Sequence, residues 1–353
     1  MFFVMKSEMR RFHRPFAPGS SFLLLVFLLL LTSTLVRADA VSDLAAFSAF
    51  DKVDLAELAK SEVKTVHGPP MGGRFLSVQS CYVAPGSATQ QIEALRQWDP
   101  TKHRELKVFL HSDLPRTPSG ADFAKLQNAP DNGSVRALVS ATQKLSSDLQ
   151  ISREEAKRFS EGGAGGGGAM PASVVKFWTE ILVSRAKNFI SGGTSAQPPY
   201  DHGGQTIRSS DELNGLLKQQ DKIRRKFSGL LAETGIGRGA GSLTPELYWE
   251  LLDVDDQGVL TLGASYSRGG ADGTHQAADV LYYASGGYYV ALTLYQMWPV
   301  TVDGKAATLV WRGDMISSAS LASLHGVERL GSESAMMKDI AKAITAFRKD
   351  TAR

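Results

Sequence analysis

The sequence predicts an α+β protein: a curved antiparallel sheet packed on a long C-terminal helix, with a helical insertion. Three observations lead there. Period-two alternation runs from Pro245 to about Arg312, and helical periodicity with capping signals runs from Pro115 to about Gly241. An apolar stripe of Met337, Ile340, Ala341, Ile344 and Phe347 closes the chain. With 43% apolar and 21% charged residues and 34 glycines among 353, the composition is that of a globular protein. It excludes a fully disordered chain, a collagen-like repeat and a disulfide scaffold.

The first forty residues read as an address. Lys6, Arg10, Arg11 and Arg14 precede the unbroken apolar run Phe22 to Leu31, and the small-residue triplet Ala38-Asp39-Ala40 follows. That is the order of a signal peptide cleaved near Ala40. The run is shorter than the ~20 residues a spanning helix needs, so an uncleaved anchor is the secondary reading. Arg10-Arg11 continues into Phe12-His13-Arg14, a poor twin-arginine signal. The mature chain is therefore expected to be exported and periplasmic or secreted. Its sole cysteine, Cys81, cannot form an internal disulfide and reads as a small buried apolar residue in a strand.

Charge narrows the partners. The chain carries 39 Lys and Arg against 36 Asp and Glu, and setting aside the leader's five and two leaves 34 of each. A neutral mature chain has no surplus of positive charge for a phosphate backbone, so nucleic acid is not an expected partner.

After the leader, Leu44, Phe47, Phe50, Leu55 and Leu58 suggest short helices in an N-terminal segment, 41–73. A strand is predicted at about 74–83, a helix over Ala88 to Trp98 by Ile92, Leu95 and Trp98, and a second strand over Leu106 to His111. The insertion, 113–245, carries two S-x-x-E capping boxes, Ser152 to Glu155 and Ser209 to Glu212, which mark helix starts. Val174, Val175, Trp178, Ile181, Leu182 and Phe189 form one apolar face, and Leu213, Leu216, Leu217, Ile223, Phe227 and Leu230 another. The run Gly162 to Gly168 reads as a mobile loop, since it cannot offset the entropy of ordering.

Beyond Pro245, two hairpins are predicted. Asp255-Asp256-Gln257-Gly258 joins the first pair of strands and Ser285-Gly286-Gly287 the second; Val302 to Lys305 turns into a further strand. With the helical block set aside, 74–112 and 246–353 read β-α-β, meander, closing helix. This order of elements resembles the START/SRPBCC helix-grip superfamily, over somewhat more than half the chain and without a residue-level fingerprint. The resemblance implies a curved sheet wrapped on the C-terminal helix around an apolar cavity, for which the insertion could serve as a lid.

No motif for bond-making chemistry stands out. Asp253 to Gly258 begins like a calcium loop, but its twelfth position is Ala264 rather than a bidentate Glu, so it reads as a polar hairpin tip. Gly235 to Gly241 contains G-x-G-x-x-A with a helix before it instead of a strand, and reads as a helix terminator. Ser61-Glu62-Val63-Lys64 matches S-x-x-K by length alone. His67, His103, His111, His202, His275 and His325 show no local metal spacing, so neither a metal nor a cofactor is expected.

Candidate ligand-binding residues come from alternation. Glu250 shares a strand face with Tyr248, and Arg312 shares one with Thr308 and Val310; as anchors in an apolar wall they would suit a ligand pocket, and outward they are surface charges. Arg312 is expected to pair with Glu250. Tyr289 and Tyr295 share a face with Thr293 that either lines a cavity or pairs across strands. His111 completes the set. The expected function is that of an exported carrier binding a lipid-like, apolar or amphipathic small molecule between sheet and helix. Contact with a membrane surface is compatible with that reading. Alternatives are an envelope adaptor without a ligand, whose partner is another protein, or an acid–base enzyme using His103, His111, Glu250 and Arg312 in the same cavity.

Overall fold

The computed structural model describes residues 40–351 apart from 61, 62, 160–168 and 271. Residues 1–39 of the predicted leader, the S-x-x-K serine and the glycine run lie outside the described residues. Eight strands form one antiparallel, curved and unclosed sheet. They are β1 (Lys64–His67), β2 (Phe75–Pro85), β3 (Val108–Leu114), β4 (Glu246–Val254), β5 (Gln257–Gly269), β6 (His275–Ala284), β7 (Val290–Val302) and β8 (Lys305–Ser317), in the order β1-β2-β8-β7-β6-β5-β4-β3.

Local chemistry sets the hairpins. Asp255 and Asp256 both take positive φ, 50° and 61°, in the two-residue link between β4 and β5, and Asp303 and Gly304 do the same between β7 and β8, at 49° and 74°. Two consecutive left-handed residues match the right-handed twist of the strands they join, and Asp and Gly tolerate that conformation best. The β4–β5 tip is thus the polar hairpin turn its sequence indicated.

Ten helices flank the sheet: α1 (40–47), α2 (Leu55–Ala59), α3 (Ala88–Gln97), α4 (Gly133–Gln143), α5 (Arg153–Ala156), α6 (Ala172–Gly192), α7 (Ser209–Lys218), α8 (Asp221–Lys226), α9 (Ser228–Thr234) and α10 (Gly326–Thr351) among the described residues. The two faces of the sheet bury separate cores. On the first, Trp249, Leu251, Leu260, Leu262, Leu292 and Trp311 pack against α1, α2 and the helices of the insertion. On the second, Leu76, Val78, Tyr82 and Val310 pack against Ile92 of α3 and Ile340 and Ile344 of α10. The insertion therefore covers the face opposite α10.

One of the two capping boxes is corrected. The box at Ser152 forms, with Ser152 and Glu155 reciprocally bonded. The one at Ser209 does not: Ser209 is already inside α7 and donates to Tyr200, while Glu212 is held by Arg74 at 2.7 Å and by Ser317. Gly235 ends α9 in the left-handed conformation, as a terminator should. Cys81 is fully buried, and burial pushes its thiol up to about 12.

Candidate functional site

Alternation along the long strands sends every second side chain of β3 to β8 to the α10 face. There a cavity of about 870 Å³ lies between the sheet and the two helices α3 and α10. Its helical wall carries Ile92, Leu95, Trp98, Ile344 and Phe347, with the ion-paired Arg96, Asp339 and Lys342 beside them. Its sheet wall is polar. It presents His111, Tyr248, Glu250, Asp279, Tyr295 and Arg312, more polar groups than the few anchors expected in an apolar wall. Among the described residues of the insertion, none between Leu114 and Pro245 lines the cavity, so the expected lid is absent there: those helices are occupied by the opposite face.

Register explains who meets whom. His111 is the cross-strand partner of Glu250, and its Nδ1 lies 3.0 Å from Oε1. The other ring nitrogen, Nε2, sits 3.8 Å from Asp113, beyond hydrogen-bond reach. Burial alone would lower the His111 pKa; the Glu250 hydrogen bond and charge, with Asp113 and Asp99, outweigh it and raise the pKa.

Tyr248 reaches farther. Its ring crosses Gly263 on β5, where a Cβ would stand 2.1 Å from Cζ, so only glycine lets the phenol lie along the sheet. The hydroxyl then donates to Asp279 Oδ1 on β6 at 2.6 Å, and Ser265, the register partner of Asp279, donates to Oδ2. Burial raises the Asp279 pKa against the pull of these two hydroxyls. Burial also lifts Tyr248 well above the usual phenol value, with the Asp279 charge adding to it.

Arg312 faces the cavity but not Glu250. Its Nε donates to both oxygens of Asp314, at 3.0 and 2.8 Å, and Nη2 to Oδ1 at 2.7 Å. Two residues apart on β8, they share one face, whereas β4 stands at the other end of the sheet; the expected Arg312–Glu250 pair is corrected on that ground. Thr293 on β7 also donates to Asp314, at 2.9 Å, and the Arg312 guanidinium lies 5.5 Å from the centre of the Tyr295 ring. Burial pushes Tyr295 up to about 12.

Of the five residues expected to hold a ligand, His111, Glu250, Tyr295 and Arg312 line this cavity and Tyr289 does not. Tyr289 precedes β7 and stacks on Tyr200 of the insertion, ring centres 6.1 Å apart, on the opposite face. His103 bonds Asp350 at 2.7 Å near the end of α10, and His275 stands at the start of β6, so the histidines do not converge. No group of His, Cys, Asp and Glu among the described residues is arranged to hold a metal ion.

Asp279, Ser265 and Asp314 were missed. The available signal was an aspartate in the apolar strand Ala277 to Ala284 whose parity matches Ala277 and Leu281. No protein-family model, curated protein or solved structure matches the chain.

Proposed function

We propose that the protein is exported and binds an amphipathic small molecule in the cavity between the sheet and α10. The observation that carries this reading is a hollow of about 870 Å³ with a largely apolar helical side and a polar sheet side. That volume lies in the range of small-molecule sites. Burying ~200 Å² of apolar ligand surface against the helical wall contributes about 5 kcal/mol, and the sheet wall fixes orientation through hydrogen bonds. The adaptor reading expects a closed interface without a hollow and gains no support here. The helix-grip resemblance is supported by the strand order β2-β8-β7-β6-β5-β4-β3 with a helix across it, although β1 and the large insertion depart from that plan. Export is supported by the composition of the first forty residues.

The test is mass spectrometry of gently purified protein, native and then denatured. A small molecule released only on denaturation is expected. Protein that carries no small molecule, and takes none up from an amphiphile panel, overturns the reading.

One observation favours a second reading. The His111–Glu250 pair inside the cavity has the form of a base and its orienting carboxylate, with Nε2 left for a substrate proton. Turnover of a bound ligand that disappears in His111→Gln, with binding retained, would establish the enzyme.

A further inference from the structure

The charges lining the cavity are unequally matched. Each cation on its wall already has a carboxylate: Arg312 has Asp314 at 2.7 Å, Lys107 has Asp253 at 3.0 Å, Arg96 has Glu246 at 3.1 Å and Lys342 has Asp339 at 2.9 Å. Asp279 has none. It is held only by the hydroxyls of Tyr248 and Ser265, and no cation of the described residues lies within ion-pair distance of it. Two hydroxyl donors leave a half-buried carboxylate with only the more distant charge of Arg312 to stabilise its ionised form.

A second observation points to an occupant. Tyr82 and Tyr295 line the same cavity at 1% and 9% exposure, and neither hydroxyl makes a hydrogen bond to a described residue. Each offers an oxygen lone pair to a donor in the cavity; a guanidinium already lies over each ring, Arg348 at 5.8 Å for Tyr82 and Arg312 at 5.5 Å for Tyr295.

From this geometry we infer that the ligand is a cationic amphiphile, an ammonium group on an apolar body, whose charge pairs with Asp279. The inference rests on the binding reading above and names the head group. An ammonium supplies N–H donors to the Asp279 carboxylate and to the oxygen of Tyr295 on the neighbouring strand, and its apolar body lies on Trp98, Ile344 and Phe347. An anionic head group would meet Asp279 and Glu250 with no unmatched cation to offset the repulsion. Nη1 of Arg312 makes no hydrogen bond to a described residue, but Asp314 already balances that guanidinium, so it serves a neutral oxygen on the ligand.

The experiment compares octylamine, octanol and octanoic acid, each below its micelle-forming concentration and near neutral pH, with the full mature chain by calorimetry. Octylamine is expected to bind at least about tenfold more tightly than octanoic acid, with octanol between them. In Asp279→Asn, checked for folding by circular dichroism, the advantage of amine over alcohol should vanish while octanol binding persists. Equal or tighter binding of the acid overturns the head-group inference while leaving the binding reading intact; so does an unchanged amine advantage in a folded Asp279→Asn. Failure of all three to bind overturns both. The ranking on the unmodified protein decides the matter even where the variant does not fold.

Discussion

Glu250 sets the charge state of His111, and the sign of its effect can be measured. Burial pushes the imidazole toward neutrality, yet the 3.0 Å contact with Glu250 leaves the folded pKa raised above the usual histidine value of about 6.5. The folded state therefore binds the proton more tightly than the unfolded chain. That contribution to stability is fully present below the unfolded pKa and is lost as pH rises through the folded one. Glu250→Gln keeps the shape and removes the charge. Burial then dominates, and the His111 pKa is expected to fall below the wild-type value, with the matching pH dependence of urea unfolding reduced. Proton NMR titration of the His111 ring checks the first outcome. A pKa unmoved by the substitution would mean that Asp113 and Asp99, not Glu250, hold the proton.

At the scale of elements, the helix start at Ser152 shows what a sequence can and cannot disclose. Its capping box was legible because both partners lie within four residues. Glu155 does more than cap, since it also accepts from Arg185 Nε at 2.8 Å and Nη2 at 2.6 Å, in a pair fully buried beneath the Tyr283 ring. Arg185 reads in the sequence as a break in the α6 stripe, because its partner lies 30 residues upstream. Glu155→Ala is expected to destabilise by about 3–5 kcal/mol by leaving a buried guanidinium unpaired. Ser152→Ala, which removes only the cap, should cost about 1 kcal/mol. Urea unfolding separates the two, and equal losses would show that the ion pair adds nothing beyond the cap. Other elements divide the same way. The turns at Asp255-Asp256 and Asp303-Gly304 carry their geometry in their own residues, so the meander from β4 to β8 was readable. The β1 strand was not, being four half-buried or exposed residues whose pairing with β2 is the only reason they are extended. Tyr282 and Tyr283 defeat alternation: the register slips at Leu262 and Gly263, and both rings enter the same core. Arg312 was placed on the correct face, but its partner depended on strand order, which alternation alone does not contain.

Across the whole molecule, the insertion is a greatly enlarged hairpin loop, because Leu114 at the end of β3 is the register partner of Leu247 in β4. A short turn could join those strands without moving the cavity, none of whose described walls comes from the inserted helices. What such an excision would remove is the cover of the other face. Phe189 of α6 stacks on Tyr282 at 3.8 Å, Phe227 faces Trp311 at 5.6 Å, and Trp249 donates its indole N–H to Asp122 of the insertion at 3.1 Å. Uncovered, that face presents an apolar surface larger than the few hundred Å² a soluble monomer exposes. Replacement of residues 115–244 by a turn of about four residues is therefore expected to yield protein that aggregates or binds a hydrophobic dye strongly. Size-exclusion chromatography and dye fluorescence would check it. A soluble, cooperatively unfolding monomer from that excision would show instead that α1, α2 and the sheet suffice to close the second core. The insertion would then be free for a role of its own.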